Sequence, residues 1–154
     1  MPRRHDSLIP LSHQHQHALA LAVIIRRRFG IEKGTAAWLE DQYGKVQKAY
    51  AAELNGHFEV EESVLFPAME RNLGKLDLVA ELLDEHLNLH NLVKLLKTEP
   101  SFDRLDELSQ LLERHVRKEE RRLFAEFEKR MPAAEAHRLG REIESRLRQA
   151  CPRL

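Results

Sequence analysis

Apolar residues along the chain recur at intervals of three and four, the spacing of one face of a helix. No stretch shows the period-two alternation of a half-buried strand. Leu19, Ala22, Val23, Ile25 and Phe29 predict a first helix, starting from Ser12 as N-cap, with Gly30 as its C-terminal cap. Residues 1–11, interrupted by Pro2 and Pro10, read as an arm. A second helix opens at Gly34-Thr35 and ends at Gly74, with Trp38, Val46, Tyr50, Leu54, Val64 and Leu65 near one stripe. Gly44 and Gly56 weaken it by roughly 1 kcal/mol each relative to Ala, and Pro67 bends or loosens its end. Val79, Leu82, Leu83, Leu89, Val93 and Leu96 predict a third helix over 75–97. After Glu99-Pro100-Ser101, a fourth spans 103–130 on Leu105, Leu108, Leu111, Leu112, Leu123 and Phe127, and Met131-Pro132 stops it. A short helix over 133–149 presents Leu139, Ile143 and Leu147. Four long helices with short connections predict an all-α, antiparallel up-and-down four-helix bundle with a short C-terminal fifth helix. At 154 residues, a single domain over 1–154 is expected, with its core in about 8–131 and the extra helix in 132–154.

Composition narrows the function classes. Lys plus Arg and Asp plus Glu number 25 each, so no net charge favours nucleic acid or an acidic membrane surface. Cys151 is the single cysteine, which excludes an internal disulfide and a thiolate ligand set and makes a reducing cytoplasm the expected location. The apolar run 18–25 leads into Arg26-Arg27-Arg28 and reads as a helix interior, not a signal segment, and nothing approaches membrane-spanning length.

The polar residues on the apolar stripes change the picture most. Residues 57–66 and 115–124 both read His-x-x-x-Glu-Glu-x-x-Leu-Phe. Spacing of i and i+4 puts His57 beside Glu61, His115 beside Glu119, and, between the two copies, His86 beside His90. On the first helix His15 shares the face of Leu11, Leu19 and Ala22, whereas His13 and His17 are rotated away and compete with it only as a surface tract. Each pair alone reads as a solvated surface pair or a satisfied core pair. Five imidazoles and two carboxylates phased to the interiors of four helices instead point to metal, because buried carboxylates need a partner. They overfill one tetrahedral zinc site. Two ions bridged by both carboxylates and a solvent oxygen use every ligand, one ion with three histidines and the other with two and an open position, a donor set suited to iron. Glu120, at i+5 from His115, competes with Glu119 for the bridging role; Glu62 and Glu120 otherwise read as surface partners of Arg or Lys. Tyr43 and Tyr50 flank the site or pack in the core.

His15 in Leu-Ser-His-Gln-His, His57-Phe-Glu-Val-Glu61 with Leu65-Phe66-Pro67 behind it, His86-Leu-Asn-Leu-His90 and His115-Val-Arg-Lys-Glu119 together resemble the hemerythrin-like, His-His-Glu cation-binding family, over roughly residues 8–131. The resemblance implies a four-helix bundle with a non-haem di-iron centre. It implies that His86, His90 and His115 bind one iron, that His15 and His57 bind the other, and that Glu61 and Glu119 bridge. It also implies a small partner: O2, peroxide or NO. The chain departs from the oxygen carriers in having glutamate at i+4 of the last motif, where they have aspartate one residue further on. Gln14 also stands before His15, where relatives often have an acidic residue. Reversible binding at the two-His iron is the leading expectation; a redox enzyme, an iron-handling or stress-repair protein on the same centre, and a structural zinc bundle are the alternatives. No signalling domain is seen in the sequence, so sensing would need a separate partner.

Overall fold

The computed structural model describes residues 3–32 and 35–151, and the side chains of all of these except residues 27–32. Helices account for the described secondary structure, with no strand among the described residues. A 3₁₀ turn, Asp6–Leu8, leads directly into α1, Ile9–Glu32. The expected arm is therefore helical from Asp6. Pro10 lies in the first turn of α1, where its missing N–H is no loss, and Leu8 and Leu11 are fully buried. Ser12 is inside the helix rather than its cap, and α1 continues two residues past Gly30. Gly34 lies outside the described residues.

Helix α2 occupies 36–73 as one rod: α-helical Ala36–Ala49, Asn55–Val60 and Phe66–Leu73, joined by π-helical turns at Tyr50–Leu54 and Glu61–Leu65. Thr35 caps it by accepting the Trp38 N–H at 3.1 Å. Gly74, at φ 83° and ψ 176°, ends it with a positive φ that glycine adopts without a side-chain clash. Helix α3 is Asp77–Thr98. Helix α4 covers 102–130, with α-helical Phe102–Lys118 and Phe124–Arg130 joined by a third π turn at Glu119–Leu123. Ser101 caps α4 by accepting the Arg104 N–H at 3.1 Å. Helix α5 is Ala133–Ala150.

Helix α4 packs along both α1 and α3, α2 touches α3 and α1, and α5 lies across the middle of α2. Gly56 serves that last contact. A Cβ there would stand 2.4 Å from the Ala150 carbonyl oxygen, so the residue that reads as a weak point is where α5 comes closest. Leu139, Ile143 and Leu147 bury the inner face of α5. Two apolar clusters form the interior. One gathers Leu65, Phe66, Leu82, Leu123, Phe124 and the α5 residues. The other gathers Trp38, Phe58, Leu89, Leu96, Leu105 and Leu112. Trp38 is thus core. No helix among the described residues is long and apolar enough to cross a membrane.

Candidate metal centre

Six buried polar side chains stand among these apolar residues: His15 from α1, His57 and Glu61 from α2, His86 from α3, and His115 and Glu119 from α4, none more than 3% exposed. They form two groups that share both glutamates: His15, His57, Glu61 and Glu119, and Glu61, His86, His115 and Glu119. Within each group one donor atom per residue lies within 4.8 Å of every other. His57 Nε2 faces His15 Nε2 at 3.0 Å, and His86 Nε2 faces His115 Nε2 at 3.1 Å. Each carboxylate spans the two pairs. Glu61 sets Oε2 3.3 Å from His57 Nε2 and Oε1 3.2 Å from His86 Nε2. Glu119 sets Oε2 3.0 Å from His15 Nε2 and Oε1 2.8 Å from His115 Nε2.

The outward nitrogens of all four rings are taken. His15 Nδ1 is 2.7 Å from Glu120 Oε2, His57 Nδ1 is 2.7 Å from Gln14 Oε1, His86 Nδ1 is 2.8 Å from Glu62 Oε2, and His115 Nδ1 is 2.8 Å from Glu85 Oε1. An acceptor on Nδ1 keeps the proton there and leaves the Nε2 lone pair for the interior. The four carboxylate oxygens of Glu61 and Glu119 are buried without a hydrogen bond, so their close approaches to the rings are not made along N–H directions. Four inward ring nitrogens and four unbonded carboxylate oxygens repel or strand one another unless cations, protons or metal ions, lie between them. The residues therefore fit metal ions.

The charge distribution of the metal-free site makes the same point. Burial lowers the His15 imidazole, but Glu119 and Glu120 outweigh it and raise it to about 9. Burial likewise lowers His86, and Glu119, Glu61 and Glu62 raise it to about 10. His115 is raised by Glu119 and Glu85 against its burial. His57, fully buried beside His15, is held well below the usual range. Burial and the neighbouring Glu119 push Glu61 well above the carboxylate range, whereas His115 and the other partners of Glu119 overcome burial and hold it well below. Protons thus occupy the positions where cations would bind, and metal must displace them.

The repeat explains the construction. In each copy the histidine and the first glutamate point inward. The second glutamate reaches a histidine on another helix, Glu62 to His86 and Glu120 to His15. The closing phenylalanine stacks on that same ring: Phe66 on His86 with centroids 5.8 Å apart, and Phe124 on His15 at 5.5 Å. Nine residues at about 100° each would carry that phenylalanine about half a turn from its histidine in an ideal α-helix. The π turns that begin at Glu61 and Glu119 insert the extra residue that returns it inward.

Glu62 and Glu120 are therefore not simply surface partners of Arg or Lys; each orients a histidine, although Glu120 also meets Arg4. The sequence reading marked Gln14 only as the residue before His15 and missed its role as the acceptor for His57; Glu85, which holds the same place before His86, it missed altogether. Ser12 donates to Glu120 at 2.8 Å. His13 and His17 are exposed, and His17 pairs with Glu53. His90 is the expected ligand that neither group includes. It is half-buried, and its Nδ1 contacts the Tyr50 hydroxyl. Phe58 lies against both rings, 4.2 Å from His86 and 5.8 Å from His90.

A curated relative, described as a DNA nickase from Nostoc sp. (strain PCC 7120 / SAG 25.82 / UTEX 2576), is 29% identical over 112 residues. The match covers 70% of this chain but 30% of that relative's length. No solved structure matches the chain significantly. Residues 10–127 match the Hemerythrin HHE cation binding domain, and on that match, which takes in every residue of the buried cluster, the chain belongs to the hemerythrin family.

Proposed function

We propose that the chain holds two iron ions between α1, α2, α3 and α4 and binds O2 or a related small oxidant, peroxide or NO, at that centre. The observation that carries this reading is the convergence of four Nε2 atoms, each with its Nδ1 already engaged, on four carboxylate oxygens that have no hydrogen bond. His15 and His57 would hold one ion, His86 and His115 the other, and Glu61 and Glu119 both. The architecture that accompanies this reading is a single domain of four up-and-down antiparallel helices, supported by the short links at 74–76 and 99–101, with α5 added on α2. A lone cysteine agrees with a reducing, cytoplasmic setting.

When bound, a reduced iron pair supplies electrons and free coordination positions for a small oxidant. The chain's own residues do the rest. Glu120, Gln14, Glu62 and Glu85 hold the four rings in one tautomer and one orientation. Phe58, Phe66 and Phe124 keep water from the rings. A surface cleft of about 400 Å³ is lined by Asn55, Glu59, Ser63, His90 and Glu62, the partner of His86. His90 lines that cleft, and its contact with the Tyr50 hydroxyl makes a pair able to exchange a proton.

The test is an absorption titration of the anaerobically iron-loaded protein with O2, followed by purging with inert gas. A coloured adduct that forms and disappears supports reversible binding. Fast, irreversible oxidation moves the reading to redox turnover or iron handling on the same centre. One zinc and no iron after ferrous loading would make it a structural zinc bundle.

A further inference from the structure

The centre follows an approximate two-fold plan. Gln14-His15 with His57, Glu61 and Glu62 corresponds to Glu85-His86 with His115, Glu119 and Glu120. In each half the residue before the first histidine accepts the Nδ1–H of the second, at 2.7 Å for Gln14 and 2.8 Å for Glu85. The geometry of the two contacts is the same and the chemistry differs. Gln14 offers a neutral amide oxygen; Glu85 offers a carboxylate. Gln14 is anchored in that orientation, because its Nε2 points to Cys151 Sγ at 3.5 Å and only its Oε1 is left for His57.

The other two outer contacts are matched, since His15 and His86 each meet a carboxylate, Glu120 at 2.7 Å and Glu62 at 2.8 Å. The difference between the halves therefore lies in Gln14 and Glu85, and Glu85 is itself a charged group, paired with Lys118. An imidazole whose N–H is bonded to a carboxylate is a stronger metal donor than one bonded to an amide.

Resting on the dinuclear reading above, we propose that the centre is built unequal from its second layer: Glu85 makes the His86–His115 half the one that takes a divalent cation first, and Gln14 sets the weaker hold of the His15–His57 half. Gln14 and Glu85 are positioning residues whose charge, not contact geometry, distinguishes two otherwise matched sites.

The test is an anaerobic titration of the chelator-stripped full chain with Co(II), followed by its visible absorption. Repulsion between neighbouring cations spreads the two steps in every form of the protein, so the variants decide. Gln14→Glu is expected to tighten the second step by about tenfold and leave the first unchanged. Glu85→Gln is expected to weaken the first step by roughly 10–100-fold. A purely structural role for these residues would weaken binding in both variants and could not give the tightening. A Gln14→Glu protein whose second step is unchanged or weaker overturns the proposal while two bound ions keep the dinuclear reading. Fewer than two Co(II) per wild-type chain overturns the dinuclear reading itself.

Discussion

Glu61→Gln separates the role of the bridging carboxylate from its role in packing, because the two metal states respond differently. Without metal, burial and Glu119 push Glu61 well above the carboxylate range, which favours its neutral form, a side chain of nearly the shape of glutamine. The substitution should then change the stability of the metal-free protein by no more than about 1 kcal/mol. With metal, Glu61 directs one oxygen to each histidine pair, at 3.3 Å from His57 and 3.2 Å from His86, and the variant loses that charge from both sites. One ion present at about 100 times its Kd stabilises the native state by about 2.7 kcal/mol. At about 2–4 °C per kcal/mol for a chain of this size, that is a rise in Tm of roughly 5–11 °C per ion. Loss of a hundredfold in affinity removes nearly all of that rise. The assay is thermal unfolding of both proteins with chelator and with anaerobic Fe(II). A variant that loses the same amount of stability in both conditions, or that keeps the full metal-dependent rise, would refute the bridging role.

The other expectations concern protons and the choice of ligands. His15 and His86 are raised to about 9 and about 10, so the stability they contribute is complete below the ordinary histidine value near 6.5 and is lost as pH rises through 9 and 10. Melting of the chelated protein should therefore fall between about pH 7 and pH 10, and the metal-loaded protein, whose ions replace those protons, should show a smaller fall. Metal content after loading should drop by half or more in His115→Ala and stay at two ions in His90→Ala; a halved content in His90→Ala would return His90 to the ligand set. Glu119→Ala should lose more bound iron than Glu120→Ala, which removes an orienting contact and should weaken affinity by about 10–100-fold; the reverse order would move the bridge to Glu120.

Much of the buried cluster was legible because its residues obey helical spacing. His57 with Glu61 and His115 with Glu119 are one turn apart on faces that apolar residues mark as interior, and His15 was phased against Leu11 and Leu19. What escaped depends on relations between helices. The partners of the four Nδ1 atoms lie 24 to 105 residues away from their histidines, so local spacing does not say which ring each one meets. His90 has the same i+4 spacing as those pairs, but neither candidate group includes it, and its Nδ1 contacts Tyr50 on another helix. The π turns depend on backbone bonding, here Phe66 N–H to Glu61 O, which residue type does not reveal. Pro10 read as a break because proline interrupts helix interiors, yet in the first turn it starts one.

The most direct test of the central claim is the number of iron ions bound per chain after anaerobic ferrous loading and removal of free metal, measured together with their Mössbauer spectrum. The account predicts two ions per chain in a coupled pair, falling to one or none when Glu61 is replaced by Gln. A single zinc per chain with no iron retained, or two irons that survive Glu61→Gln, would contradict it.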